Sequence, residues 1–350
     1  MLTDHRLRSL PRPLPVLGLL VLLGAVALPR PAAAQDDGAP TLEQDDDFNK
    51  GGRTAFQFLK IGVGARQAAL GEASVALVRD VSAAFWNPGG IAGIERYEAS
   101  LTYTRWLAEM NYAGAAVGAR VRGIGTFALS VAALDYGDIP EAIVGTGNSD
   151  PRTGNTFSGG DFMAGLSYAR DFTDRLAIGV GVKYLHEDLW EESAGTLAFD
   201  IGTNYEVGYR GIRIAMAAQN LSGSVSWRAD SLTDRTEGYD LPLIFRVGVA
   251  GDVVGPDAFV RVDGPHRLVA AVEAINTNDF SERLHVGLEY TFSDLLALRG
   301  GYRMNYAEGN WSVGAGLRPT IGSMRVRLDY AYVGYEFLDA PHRLSVGFAF

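Results

Sequence analysis

Nine charged residues in the last third of the chain sit at alternate positions of apolar segments: Glu273, Glu289, Arg299, Arg303, Arg318, Arg325, Arg327, Asp329 and Arg343. On one shared face, guanidinium forks and carboxylates can do two things. They can bond densely to one another and to backbone carbonyls, or they can line an anion-attracting pore. Other chemistry is sparse. Gly123-Ile-Gly125-Thr-Phe-Ala128 fits a degenerate dinucleotide fingerprint, but it lies within an alternating segment and no helix follows. Asp45, Asp47 and Asn49 imitate the start of a calcium loop, yet Lys50 and Phe56 occupy the positions that need glycine and glutamate. The five histidines form no HExxH pair, no G-x-S-x-G elbow occurs, and there is no cysteine for thiol chemistry, disulfides or Cys-based metal sites. The reading is therefore no enzyme, no cofactor and no metal. Only a site assembled from distant strands would escape it.

Alternation places those charges. Leu176, Ile178, Val180, Val182 and Tyr184 alternate with Ala177, Gly179, Gly181 and Lys183. Leu284, Val286, Leu288, Tyr290 and Phe292 alternate with His285, Gly287, Glu289 and Thr291. This period-2 pattern marks strands with one apolar face. About fourteen such segments run from Tyr97 to the end, near 97–106, 110–121, 124–136, 160–170, 175–186, 195–208, 211–219, 243–250, 266–276, 282–292, 295–304, 310–318, 322–335 and 342–350. Most have the ~9–11 residues a tilted membrane strand needs. The long links, 137–159 and 220–242, are odd-numbered, whereas the tight ones are even-numbered; 251–265 is the one awkward case. Short periplasmic turns and longer outer loops are the habit of bacterial membrane barrels.

A soluble β-sandwich also alternates apolar and polar positions. Three features favour the barrel. Aromatics gather near segment ends (Tyr97 with Trp106, Tyr136, Trp190, Tyr209, Tyr302 with Tyr306, Tyr330 with Tyr335), as interfacial girdles do. The last segment stops on Phe350 after Phe348, which reads as an assembly signal. Many polar-phase positions are glycine or alanine, and 43 of the 350 residues are glycine, well above the roughly 7% of average proteins. The fold class expected is all-β: a transmembrane antiparallel β-barrel of about 14 strands with an N-terminal, partly helical plug. Strand two has little bulk on either face, with Ala113, Ala115 and Val117 outward and Gly114, Ala116 and Gly118 inward. That predicts partner contact or a lateral gap near strands two and three.

The N-terminus carries Arg6, Arg8 and Arg12, then a thirteen-residue apolar run from Val16 to Leu28 and Ala32-Ala33-Ala34. The run is shorter than the ~20 residues of a spanning helix. It reads as a secretory signal peptide, residues 1–34, cut between Ala34 and Gln35. Without a cysteine there, no lipoprotein anchor is available. Residues 35–53 form an acidic tail, 54–96 the plug, and 97–350 the barrel; a periplasmic extension packed below the barrel is the alternative to a plug. With 41 Asp plus Glu against 31 Lys plus Arg, the chain lacks the basic footprint of a nucleic-acid binder.

Within 54–96 lie Thr54-Ala-Phe-Gln-Phe-Leu59, Gly64-Ala-Arg-Gln-Ala-Ala-Leu-Gly71, Val75-Ala-Leu-Val-Arg-Asp80 and Phe85-Trp86-Asn87-Pro88-Gly89-Gly90. Asn before Pro favours extended or turn backbone, and Gly89-Gly90 can take positive φ. A sharp turn out of the plug, anchored by Phe85 and Trp86, is one reading; a plain surface turn is the other. Together these runs resemble the N-terminal signature of the PorV/PorQ family, within the wider group of FadL-like outer-membrane barrels. Gly62-Val63-Gly64 stands where PorV members usually carry Pro-Asp before the Ala-Arg. The resemblance implies a multi-pass barrel in the outer membrane of a Gram-negative-type bacterium. It further implies a type IX secretion component, with machinery subunits and the C-terminal signal domains of secreted proteins as partners beside outer-membrane lipid. The alternative is a FadL-like transporter of a hydrophobic ligand such as a long-chain fatty acid. A purely structural barrel is a third reading.

Overall fold

A computed structural model describes residues 54–142, 152–190, 192–226 and 238–350. The expected signal peptide with its Ala34–Gln35 site, the acidic tail and the centres of the two long links lie outside these residues.

Alternating sequence becomes fourteen wall strands: β1 (Tyr97–Arg105), β2 (Asn111–Val121), β3 (Gly125–Asp135), β4 (Gly159–Asp171), β5 (Leu176–Leu189), β6 (Glu192–Glu206), β7 (Arg213–Leu221), β8 (Ile244–Gly255), β9 (His266–Thr277), β10 (Phe280–Phe292), β11 (Leu296–Met304), β12 (Trp311–Leu317), β13 (Met324–Gly334) and β14 (His342–Ala349). Each pairs with the next. β14 returns to β1, from Glu98 opposite Ala349 to Arg105 opposite His342, and closes the wall. Closure satisfies every strand edge internally, which is what hydrocarbon demands of a sheet. Outward positions such as Leu101, Val117, Leu129, Val180 and Leu298 are exposed, and they form the apolar band.

The awkward eighth link is resolved by β8 itself. The strand continues past the expected end at 250 through a bulge at Asp252/Val254, and Val260–Arg261 pairs in parallel with Val254–Gly255. The even links thus stay compact, while the third link carries a small hairpin, Ile139–Ala142 against Arg152–Phe157. The end bearing the odd links is the outer end.

One expectation loses the lateral-gap alternative, and another changes. β2 pairs with β3 at every position from Asn111 opposite Asp135 to Val121 opposite Gly125, so the wall has no lateral gap there. The ladder is made by backbone, and the space above Gly114 and Gly118 is taken by Val63, Phe85, Val81 and Ile94. The aromatics also divide. Tyr97, Trp190, Tyr209 and Tyr302 are exposed outward, but the Tyr136 hydroxyl donates to Asp161 and that of Tyr306 meets His285. Trp106 and Tyr335 also pack against buried clusters, so these four serve the lumen instead of a girdle.

The seam between the first and last strands is testable because the chain has no native cysteine. Leu101→Cys with Val346→Cys, opposite one another on β1 and β14, is expected to oxidise to an intramolecular disulfide. Leu101→Cys with Ser345→Cys, on opposite faces, is expected to stay reduced. Gel mobility with and without reductant distinguishes them.

Candidate functional site

Residues 54–96 cross the lumen from the outer to the inner end. Thr54 bridges Asp240 and Phe56 N–H donates to Glu187 at 2.8 Å at the outer end. At the inner end Arg120 N–H donates to the Arg96 carbonyl at 2.8 Å. Short 3₁₀ turns at Gln57–Lys60, Val81–Phe85 and Pro88–Gly93 and one helix, α1 (Ala65–Ala69), make up its regular structure. The segment lies inside the wall and not below it. Its apolar side chains form four buried clusters with the inward faces of the strands.

The six-residue motif sits against β5, β6 and β7. Asn87, fully buried, is the N-cap of Pro88–Gly93: its Oδ1 accepts from Gly89 N–H at 3.0 Å, and its Nδ2 donates to the Thr203 carbonyl at 3.0 Å and the Val75 carbonyl at 3.2 Å. One amide thus caps a turn, fixes the wall and fixes the segment. The Phe85 carbonyl accepts from Gln219 at 3.0 Å. The Trp86 indole donates to the Val63 carbonyl at 2.8 Å, and its ring lies under the Arg246 guanidinium at 4.9 Å. Gly89 and Gly90 do not take positive φ. Their lack of a side chain serves contact: a Cβ on Gly90 would stand 2.3 Å from the Val78 carbonyl oxygen, and one on Gly202 would stand 2.1 Å from Asn87 Oδ1.

All nine charges read from the sequence lie on the inward phase, and eight are paired there in four separate groups. Glu289 accepts from Arg66 at 2.8 Å, Arg299 at 2.6 Å and Arg318 at 3.1 Å, and Arg299 reaches Asp329 at 2.7 Å. Glu273 accepts from the backbone of Ser74 and Val75 at 2.7 and 2.8 Å while pairing with Arg246 at 2.9 Å. Arg303 and Arg343 flank Glu72 at 3.6 and 3.9 Å, and Arg327 joins Asp80 and Glu98. Arg325 stands apart at the inner mouth, exposed and paired with Glu95 at 3.0 Å. Arg66, Glu72, Asp80, Glu98 and Arg246 were not singled out in the sequence. The alternation of β8 around Phe245 and Val247 would have placed Arg246 inward. The segment has no period that could have placed Glu72 or Asp80.

This arrangement holds a polypeptide, and the cavities left beside it are small. Cavities beside Trp86, around Gly89–Gly93 and around Arg66 each amount to about 30 Å³. A site for a drug-sized apolar ligand takes ≈300–1,000 Å³. Among the described residues no three His, Asp or Glu side chains converge as a metal site would need. On the outer hairpin, hydrogen bonds from Thr153 and Asn155 hold the Glu141 carboxyl below its ordinary range.

The sequence profile of the family described as Type IX secretion system protein PorV matches residues 44–230. The chain belongs to the PorV family. The matched stretch takes in the described lumenal segment and the wall through β7. Among solved structures, this PorV family member is similar to the Pseudomonas putida toluene transporter TodX, with 13% identity and a TM-score of 0.54 over 83% of this chain and 99% of that one. A Pseudomonas aeruginosa FadL homologue gives 11%, 0.53, 82% and 98%, and the Ralstonia pickettii toluene transporter TbuX 14%, 0.51, 82% and 97%. At such identities the likeness is one of fold. No curated protein is similar in sequence. Barrel and family together place the chain in the outer membrane of a Gram-negative-type bacterium.

Glu289→Ala leaves three buried or half-buried guanidiniums without their shared carboxylate. A loss of about 3–5 kcal/mol is expected, the usual cost of breaking a buried pair. Arg325→Ala, in an exposed pair, is expected to change stability by no more than about 1 kcal/mol. The temperature at which each variant loses its folded-barrel mobility on SDS gels separates the two.

Proposed function

We propose that this protein serves a type IX secretion machinery as the outer-membrane barrel that receives secreted proteins through their C-terminal signal domains and passes them on for surface attachment. The family match over residues 44–230 carries the reading. The filled lumen supports it. Its wall charges are consumed by Arg66, Glu72, Asp80 and the backbone of Ser74 and Val75, so cargo meets the outer links and not a pore. Those links offer contact chemistry. Phe337 is 83% exposed beside Leu338 in the last of them, flanked by Glu336 and Asp339. An exposed aromatic with an apolar neighbour is the kind of anchor on which protein contacts concentrate.

The transporter reading rests on likeness of fold to hydrocarbon channels. It needs a continuous apolar chamber, and cavities of about 30 Å³ beside the segment do not supply one.

Deletion of the gene, with comparison of the secreted proteome and of long-chain fatty-acid and toluene uptake, tests the ranking. Retention of secreted proteins with unchanged uptake is expected. Intact secretion with lost uptake would reverse it. In the complemented strain, Phe337→Ser with Leu338→Ser is expected to reduce secretion several-fold while the barrel remains folded.

A further inference from the structure

Buried carboxylates in this lumen follow a rule. Glu72, Asp80, Asp200, Glu273, Asp279, Glu289 and Asp329, each less than a tenth exposed, all have an Arg or Lys within 4 Å. Asp161 and Glu187 break it. They are 4% and 8% exposed, and neither carboxylate has an Arg, Lys or His within 4 Å among the residues whose side chains are described, a set that does not include Arg152. They also stand directly opposite one another on β4 and β5, where facing Cβ atoms are ≈4.5–5.5 Å apart. The surroundings are apolar: Phe56, Phe58, Leu134, Met163, Leu185 and Ala194.

The hydrogen bonds leave one atom unexplained. Asp161 Oδ2 accepts from the Tyr136 hydroxyl at 2.7 Å, and Glu187 Oε2 accepts from Phe56 N–H at 2.8 Å. Asp161 Oδ1 is buried without a partner. Two anions on facing residues of an apolar site disfavour each other's ionisation, and a buried acceptor without a donor is costly. We propose that Asp161 and Glu187 bind one shared proton, carried on Asp161 Oδ1 and donated to Glu187, and that this proton holds the outer end of the lumenal segment in place.

The facing groups agree with this. Tyr136 is committed as a donor, and the Tyr112 ring adds no charge. Lys183, two alternations deeper on β5, is held by Asp200 at 2.9 Å and by Asn220, while Lys60 belongs to Asp279. What depends on the pair is Phe56, a fully buried residue in the left-handed region at φ 53°. That conformation is unfavourable for a non-glycine residue and persists because the Glu187 bond and the surrounding cluster impose it. Loss of the proton to solvent at high pH leaves two facing anions, and Glu187 can relieve the repulsion only by moving off Phe56. The hold is therefore complete at low pH and is lost progressively as pH rises.

Infrared difference spectra of the full-length barrel in membranes at pH 7 are expected to show a protonated-carboxyl band that disappears in both Asp161→Asn and Glu187→Gln. Maleimide labelling gives the consequence. Ala55→Cys, buried beside Phe56, is expected to gain reactivity relative to the exposed Gln57→Cys by up to about tenfold per pH unit once deprotonation governs opening, as one released proton dictates. In Asp161→Asn the ratio is expected to stay flat. Absence of the band in the native chain, its survival in both variants, or a native labelling ratio independent of pH would overturn the proposal.

Discussion

The charged inner wall and the polypeptide inside it are stable only together. A membrane barrel must turn apolar side chains outward, so whatever the sequence holds in its alternate phase is forced into the lumen. Here the later strands hold arginine and glutamate. Without the segment's counter-charges, residues such as Arg343, whose side chain is 2% exposed and faces Glu72 of the segment, would sit desolvated at large cost. The lumenal segment supplies Arg66, Glu72, Asp80 and two backbone N–H groups. In return the wall caps a chain that has little regular structure of its own. On the other side of the lumen the same constraint is met by absence: glycine and alanine on β2 to β6 let the Asn87 turn press against bare backbone.

The wall was largely legible in sequence. A period of two survives whatever the side chains are, so all fourteen strands were placed, and the inward phase of Glu273 to Arg343 came with them. Three kinds of feature were not legible. Partners such as Arg66 and Glu289 lie 223 positions apart, and no local pattern links them. Gly89 and Gly90 were read as sources of unusual backbone because glycine's freedom is local, whereas their use is in contacts with Val78 and Gly202. The lateral gap at strands two and three was inferred from missing bulk, but strand pairing is a property of backbone, and the segment fills what the side chains leave. Tyr136 and Tyr306 show the same limit, since proximity to a strand end does not say which face a side chain joins.

These points bear on function through one consequence: the interior of this barrel is occupied by its own chain. Family membership directs attention to protein traffic, and the outer links are then the surfaces left to act. The segment's outer end, held by Thr54, Phe56 and their partners, is also where Asp161 and Glu187 lie, a facing carboxylate pair without an ion-pair partner among the described side chains. The part of the lumen with the least charge compensation is thus the part nearest those links.

The central claim is that the unmodified lumen is closed by paired charge. Current through the purified full-length protein in a planar lipid bilayer measures this most directly. The account predicts no stable conductance steps from the native chain and the appearance of such steps in Glu289→Ala. Lasting open-channel current from the native chain would contradict it.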